Sequence, residues 1–221
     1  MTNSSNLPSL QSDKKLRSRV KLLGRLLGKV LKQHEDPAVF RAVERLRKGF
    51  IQLRDSNDEK QRADLIALID HLQPPIIEQV IRAFSLYFSL VNIAEEDYLH
   101  RQRRRSVRKL GYPDWKGSFY QTLFSFQQQG IDHNDLQLLL SKLSYRPVFT
   151  AHPTESKRRT VMQLQRDIFE IIDDLTDPRI TGYEKEALQQ RLQIQIEVLW
   201  QTNEVREKRP EVADEIKLGL S

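Results

Sequence analysis

The 221-residue chain predicts a mainly α protein, a long-helix bundle that leads into one short strand and a helical hairpin. Three observations carry this. Apolar residues recur at three- and four-residue spacing along most of the chain, the period of an amphipathic helix. Prolines fall between those stretches, at Pro37, Pro74-Pro75, Pro113, Pro178 and Pro210. Only Pro147 to Ala151 is β-prone without helical periodicity.

Residues 1 to about 13 are polar, with Pro8 and several Ser and Asn, and are expected to be disordered. From Leu16, the positions Leu16, Val20, Leu23, Leu27 and Val30 form an apolar stripe with Lys and Arg opposite. Gly24 and Gly28 lie one turn apart, a place for another helix to approach. Asp36-Pro37 starts a second helix with Val39, Phe40, Val43, Leu46 and Phe50 inward. A polar connection follows at Asp55 to Lys60, then a short helix over Asp64 to Leu72. Pro74-Pro75 breaks the chain before a long helix from Ile76 to Lys109, closed by Gly111-Tyr112-Pro113. Two more helices are expected at Asp114 to Gln129, with Trp115, Phe119, Leu123 and Phe126 inward, and at Asp132 to Leu143. Beyond the strand, Val161, Leu164, Ile168, Ile171 and Leu175 mark a helix that stops at Asp177-Pro178. Thr181-Gly182-Tyr183-Glu184 fits a capping box for a last helix that runs to about Lys208.

Charge narrows the function classes. The net charge of +6 is clustered: residues 13–32 hold eight Lys or Arg against one Asp, and residues 101–109 hold six cations and no acid. The run Arg101-Gln102-Arg103-Arg104-Arg105 has no interleaved aromatic surface, zinc frame or reader motif, so nucleic acid is not an expected partner. These cations suit a helix end, facing carboxylates or the C-terminal partial charge. The absence of cysteine excludes a disulfide framework and a thiolate metal site. His34, His71, His100 and His133 show no paired ligand spacing, and Glu95-Glu96 diverge on a helix. No uninterrupted apolar core lies near Met1. The stretch Ile76 to Ala94 carries Glu78, Gln79, Arg82 and Asn92, which favours a buried helix over a membrane span. A soluble, cytoplasmic protein is expected.

The densest chemistry lies in Arg146-Pro147-Val148-Phe149-Thr150-Ala151-His152-Pro153-Thr154-Glu155-Ser156-Lys157-Arg158-Arg159. A histidine ends the strand, Pro153 stiffens the exit, and cations crowd the start of the next helix. Helix N-termini with Arg and Lys nearby suit phosphate or carboxylate. An imidazole there can act as acid or base near neutrality. A strand-to-helix turn with a structural histidine and exposed arginines accounts for the same residues.

This segment resembles the TAHPT histidine signature and following Arg pair of the phosphoenolpyruvate carboxylase family. Two further blocks, in the family's order, extend the resemblance. Phe84-Ser85-Leu86-Tyr87-Phe88-Ser89-Leu90-Val91-Asn92-Ile93-Ala94-Glu95-Glu96 with its basic run looks like the family's long helix, and Leu199-Trp200-Gln201-Thr202-Asn203-Glu204-Val205-Arg206 looks like its LW-x-T-x-E block. Family-like sequence begins near Leu16, inside the basic N-terminal segment, which favours a structural helix there over a transit peptide.

The resemblance implies a helical region over 14–145 and, over 146–221, the first strand and hairpin of an incomplete (β/α)₈ barrel, with His152 where barrel active sites are built. It implies phosphoenolpyruvate and bicarbonate as substrates, oxaloacetate and phosphate as products, and a homotetramer. Mg²⁺ or Mn²⁺ is implied as cofactor, with ligands outside this chain. His152 is then the catalytic proton acceptor. In plant-type members the matching arginines line an anion site linked to sugar-phosphate activation, which makes Arg158, Arg159 and Arg206 a candidate effector site. Ion pairs with carboxylates such as Glu204 are the structural alternative. Members of the family are several times longer, so the expectation is an N-terminal portion without activity alone. A non-catalytic helical assembly or effector-binding module derived from the family is the second reading.

Overall fold

The computed structural model describes residues 10–56, 58–146, 158–204 and 213. Eight helices occupy these residues: α1 (Leu10–His34), α2 (Pro37–Ser56), α3 (Glu59–Asp70), α4 (Pro74–Leu110), α5 (Phe119–Gln128), α6 (His133–Lys142), α7 (Arg159–Asp174) and α8 (Gly182–Gln201). No strand occurs among the described residues. The expected strand Pro147–Ala151 lies outside them.

The helices divide between two compact units. The first comprises residues 1–95 and 159–203; the second comprises 96–158 and 204–221. The α7–α8 hairpin shares the first unit with α1–α3 and the first half of α4. Its core is continuous. Val161, Leu164, Ile168, Ile171 and Ile172 of α7 meet Leu192, Ile196, Leu199 and Trp200 of α8 and the α1 stripe from Leu23 to Leu31, with Ala83, Leu86, Leu90, Ile93 and Ala94 of α4. Burying side chains of this size stabilises by about 1.5–3 kcal/mol each, so this cluster dominates the unit. A second core joins Val39, Ala42, Leu46 and Leu53 of α2 to Leu65 of α3 and Val80 of α4.

Most of the predicted helices are present, and their differences have local causes. Helix α1 begins at Leu10, inside the stretch read as a polar tail, because nothing between Pro8 and Leu16 breaks a helix. Helix α4 takes Pro74-Pro75 into its first turn, where a missing N–H costs nothing, and runs 37 residues, about 55 Å. In α2 the inward position after Leu46 is Gly49 rather than Phe50, which is 47% exposed. A Cβ at Gly49 would lie 2.4 Å from Leu65 Cδ2, so the glycine is what lets α3 close on α2.

Helix α5 starts at Phe119 rather than Asp114. Gly117 adopts φ 85°, and the Ser118 hydroxyl accepts from the Gln121 amide to cap the helix. Phe119, expected inward, is 88% exposed. Helix α6 has a full capping box between Asp132 and Asp135. The box expected at Thr181 does not form. Thr181 makes no side-chain cap bond, and Gly182, the first residue of the helix, adopts φ 55°. Helix α8 ends at Gln201, well before Lys208, with Thr202 extended at φ −91°, ψ 129°.

Candidate functional site

His152 and Arg206 lie outside the described residues. The structure describes the rest of the predicted constellation, Arg158 and Arg159, and the helices that fix the chain on either side. Arg159 is the exposed first residue of α7, and Arg158, just before it, is half-buried. The Arg158 amide donates to the Glu204 carbonyl at 3.4 Å, a backbone link between the segments flanking the hairpin. Among the described residues no ion pair joins Arg158 or Arg159 to Glu204.

The LW-x-T-x-E block acquires a physical role from its surroundings in the first unit. Leu199 and Trp200 are buried in the main core. The Trp200 indole N–H donates to Glu35 Oε1 at 2.9 Å, just beyond the end of α1. Arg82 of α4 lies over the same indole, its Cζ 4.8 Å from the ring centroid. Its Nη2 donates to the Trp200 carbonyl and, at 3.1 Å, to the Thr202 carbonyl. A helix C-terminus leaves its last carbonyls without intrahelical donors and carries partial negative charge, and one guanidinium answers both needs. The Thr202 hydroxyl donates to the Val198 carbonyl at 2.7 Å. Beside this clamp, His34 Nε2 lies 2.6 Å from Glu197 Oε1, and the Gln201 amide lies 3.4 Å from His34 Nδ1. With the imidazole proton on Nε2, both contacts are hydrogen bonds of correct polarity.

The Arg82 clamp escaped sequence reasoning. Its signal was present: a lone guanidinium in the apolar stretch Ile76 to Ala94 requires a partner, because a half-buried unpaired cation is costly. The partner, a helix end far along the chain, is invisible to local periodicity.

In the second unit, Asp97 is fully buried and pairs with Arg101 one turn on, and Arg103 lies over Trp115 with Cζ 5.6 Å from the ring centroid. Two cations of the basic run are therefore engaged in packing. Among the described residues no three His, Asp or Glu side chains gather as a metal site. One helix, α4, is long and apolar enough to cross a membrane by length and composition. Its Val80, Ala83, Leu86 and Leu90 are built into the two cores of the first unit.

Comparison with known proteins gives one answer. Residues 16–221 match the family described as phosphoenolpyruvate carboxylase. The chain is 35% identical over 215 residues to the phosphoenolpyruvate carboxylase of Nitrosomonas europaea, covering 97% of this chain and 23% of that protein. It is 34% identical over 212 residues to that of Nitrosomonas eutropha, covering 96% and 23%. It is also 34% identical to that of Rhodopseudomonas palustris, covering 96% and 22%. The chain thus spans slightly less than a quarter of the length of these relatives and aligns along nearly all of its own. It belongs to the phosphoenolpyruvate carboxylase family.

Proposed function

We propose that this chain is the N-terminal portion of a phosphoenolpyruvate carboxylase, which forms oxaloacetate and phosphate from phosphoenolpyruvate and bicarbonate. The uninterrupted family match over residues 16–221, with the TAHPT block inside it, carries the reading. In this proposal Pro147–Ala151 is the first strand of a (β/α)₈ barrel whose other strands come from elsewhere in the enzyme. His152, at the strand's C-terminal end, faces the active site.

Bicarbonate attacks the phosphate of phosphoenolpyruvate to give carboxyphosphate and the enolate of pyruvate. His152 takes the carboxyl proton of carboxyphosphate. Carbon dioxide and phosphate separate, and the enolate carbon captures the carbon dioxide. A neutral imidazole suits this step because its basicity lies near the working pH. The Mg²⁺ or Mn²⁺ that the family implies is proposed to take its ligands from elsewhere in the enzyme. The isolated chain, spanning less than a quarter of its relatives' length, is proposed to be inactive.

Arg158, Arg159 and Arg206 are proposed as an effector site for a sugar phosphate. The backbone link between Arg158 and Glu204 supports this, since Glu204 stands two residues before Arg206. A cytoplasmic homotetramer without nucleic-acid or membrane partners completes the proposal.

The test is made in an enzyme carrying this sequence at the head of the full family length. His152→Asn should abolish oxaloacetate formation while bicarbonate-dependent phosphoenolpyruvate cleavage partly persists. Oxaloacetate made at near the parent rate would remove His152 from its role. Activation by glucose 6-phosphate should disappear in Arg159→Ala; activation that is unchanged would exclude the effector assignment.

A further inference from the structure

The cationic cluster on α1 is not used by any step above, and it lines a cavity. Between α1, α2 and α4, wholly within the first unit, lies a cleft of about 730 Å³. That volume falls in the range of small-molecule sites. Lys21, Arg25, Lys29 and Lys32 stand along one edge of it at spacings of four, four and three residues, so they share a helix face. Neighbouring like charges at this spacing repel. Lys21, Arg25 and Lys29 have no carboxylate within 4.0 Å among the described residues. The one acid lining the cleft, Glu44, is held by Arg47 at 2.8 and 2.9 Å and by Lys48 at 3.8 Å. It is saturated.

The floor has a different character. Tyr87 and Phe40 line the cleft, and each ring covers one of the glycines that the sequence placed a turn apart. A Cβ at Gly24 would meet Tyr87 at 3.4 Å, and one at Gly28 would meet Phe40 at 3.6 Å. Lys32 Nζ sits 4.5 Å from the Phe40 ring centroid. Aromatic side chains lining the cleft beside Lys21, Arg25 and Lys29 match a ligand with a planar ring at one end and phosphate at the other.

We propose that this cleft binds a small ring-bearing phosphate ester of the nucleoside phosphate class, its phosphates on Lys21, Arg25 and Lys29 and its ring against Tyr87. The site shares no residue with the effector site proposed above.

Isothermal titration of the 221-residue chain with ADP, inorganic pyrophosphate and adenosine tests it. ADP should bind at least about tenfold more tightly than either part alone. The double variant Lys21→Gln/Lys29→Gln replaces two exposed side chains, leaves both cores untouched, and should weaken ADP about tenfold or more with helix content by circular dichroism unchanged. Tyr87→Leu should weaken ADP and leave pyrophosphate alone. Arg105→Gln/Arg108→Gln, in the second unit, should change nothing. Absence of ADP binding by the parent chain, equal binding of ADP and pyrophosphate, or full affinity in the lysine variant would each overturn the proposal. A short DNA strand that binds more tightly than ADP would also overturn it.

Discussion

The two units use their helical sequence in opposite ways. In the first, α1, α4, α7 and α8 bury whole apolar stripes in one core, including Ile168, Leu192 and Ile196 with no exposed surface. In the second, α5 and α6 bury none of their residues, and Phe119, Leu123, Phe124, Leu138, Leu139 and Leu140 are exposed. Their order comes from local chemistry: the Ser118 cap, the Asp132–Asp135 box and the stacking of Tyr112 on Tyr120 at 4.3 Å between ring centroids. Isolated helices of ten residues are marginal in water, so caps matter far more there than in a packed core.

That contrast predicts a hierarchy of mutational effects. Ile168→Ala opens a cavity in the first unit and should cost about 2–5 kcal/mol in urea unfolding. Phe119→Ser removes a side chain that packs on little and should change stability by no more than about 0.5 kcal/mol. Equal costs would erase the distinction between the units. Arg82→Met keeps much of the side-chain volume and deletes the donors to the α8 carbonyls. It should cost about 1.5–3 kcal/mol and increase exchange at the Thr202 and Asn203 amides before those of the α7 interior. Loss spread evenly over the unit would mean that Arg82 acts through packing alone.

The smallest effect concerns pH. Hydrogen bonding from Arg47 holds the Glu44 carboxyl below its usual value. A depressed carboxylate adds stability above its unfolded pKa, and loses it as pH falls through the lower folded value. Because Glu44 is partly solvated, the contribution is small. Arg47→Gln should return the Glu44 titration, followed by carboxyl NMR, toward the ordinary range and lessen the acid loss of stability. A Glu44 titration unmoved by this substitution would separate its shift from Arg47.

How much was legible in the sequence follows the same division. Where stripes meet a partner within the unit, period and position are both right: Leu23, Leu27, Val30, Val161, Leu164 and Ile168 were expected inward and are buried. At Phe119 and Leu123 the period was right and the burial was not, because amphipathicity records a preference for a partner and cannot supply one. At Gly49 a volume constraint from Leu65 overrode the apolar pattern. At Thr181 the capping residues were in place, yet no cap bond forms and Gly182 adopts a positive φ that residue types alone do not reveal. Of the candidate site, the family blocks supplied His152, Arg158, Arg159 and Arg206 as proposed residues, with His152 and Arg206 outside the described residues. The Arg82–Trp200–Glu35 clamp was hidden because its members come from three separated stretches of chain.

Native-state hydrogen exchange tests most directly the claim that a buried core holds α7 and α8, and local caps hold α5 and α6. Amides of Leu164 to Ile172 and Leu192 to Trp200 should exchange only through global unfolding, with the urea dependence of the whole transition. Amides of α5 and α6 should exchange through small local openings, and Asp132→Ala should raise the rate at Asn134 and Asp135 about fivefold without affecting α7. Protection of α5 and α6 equal to that of α7, lost together in a single transition, would contradict the account.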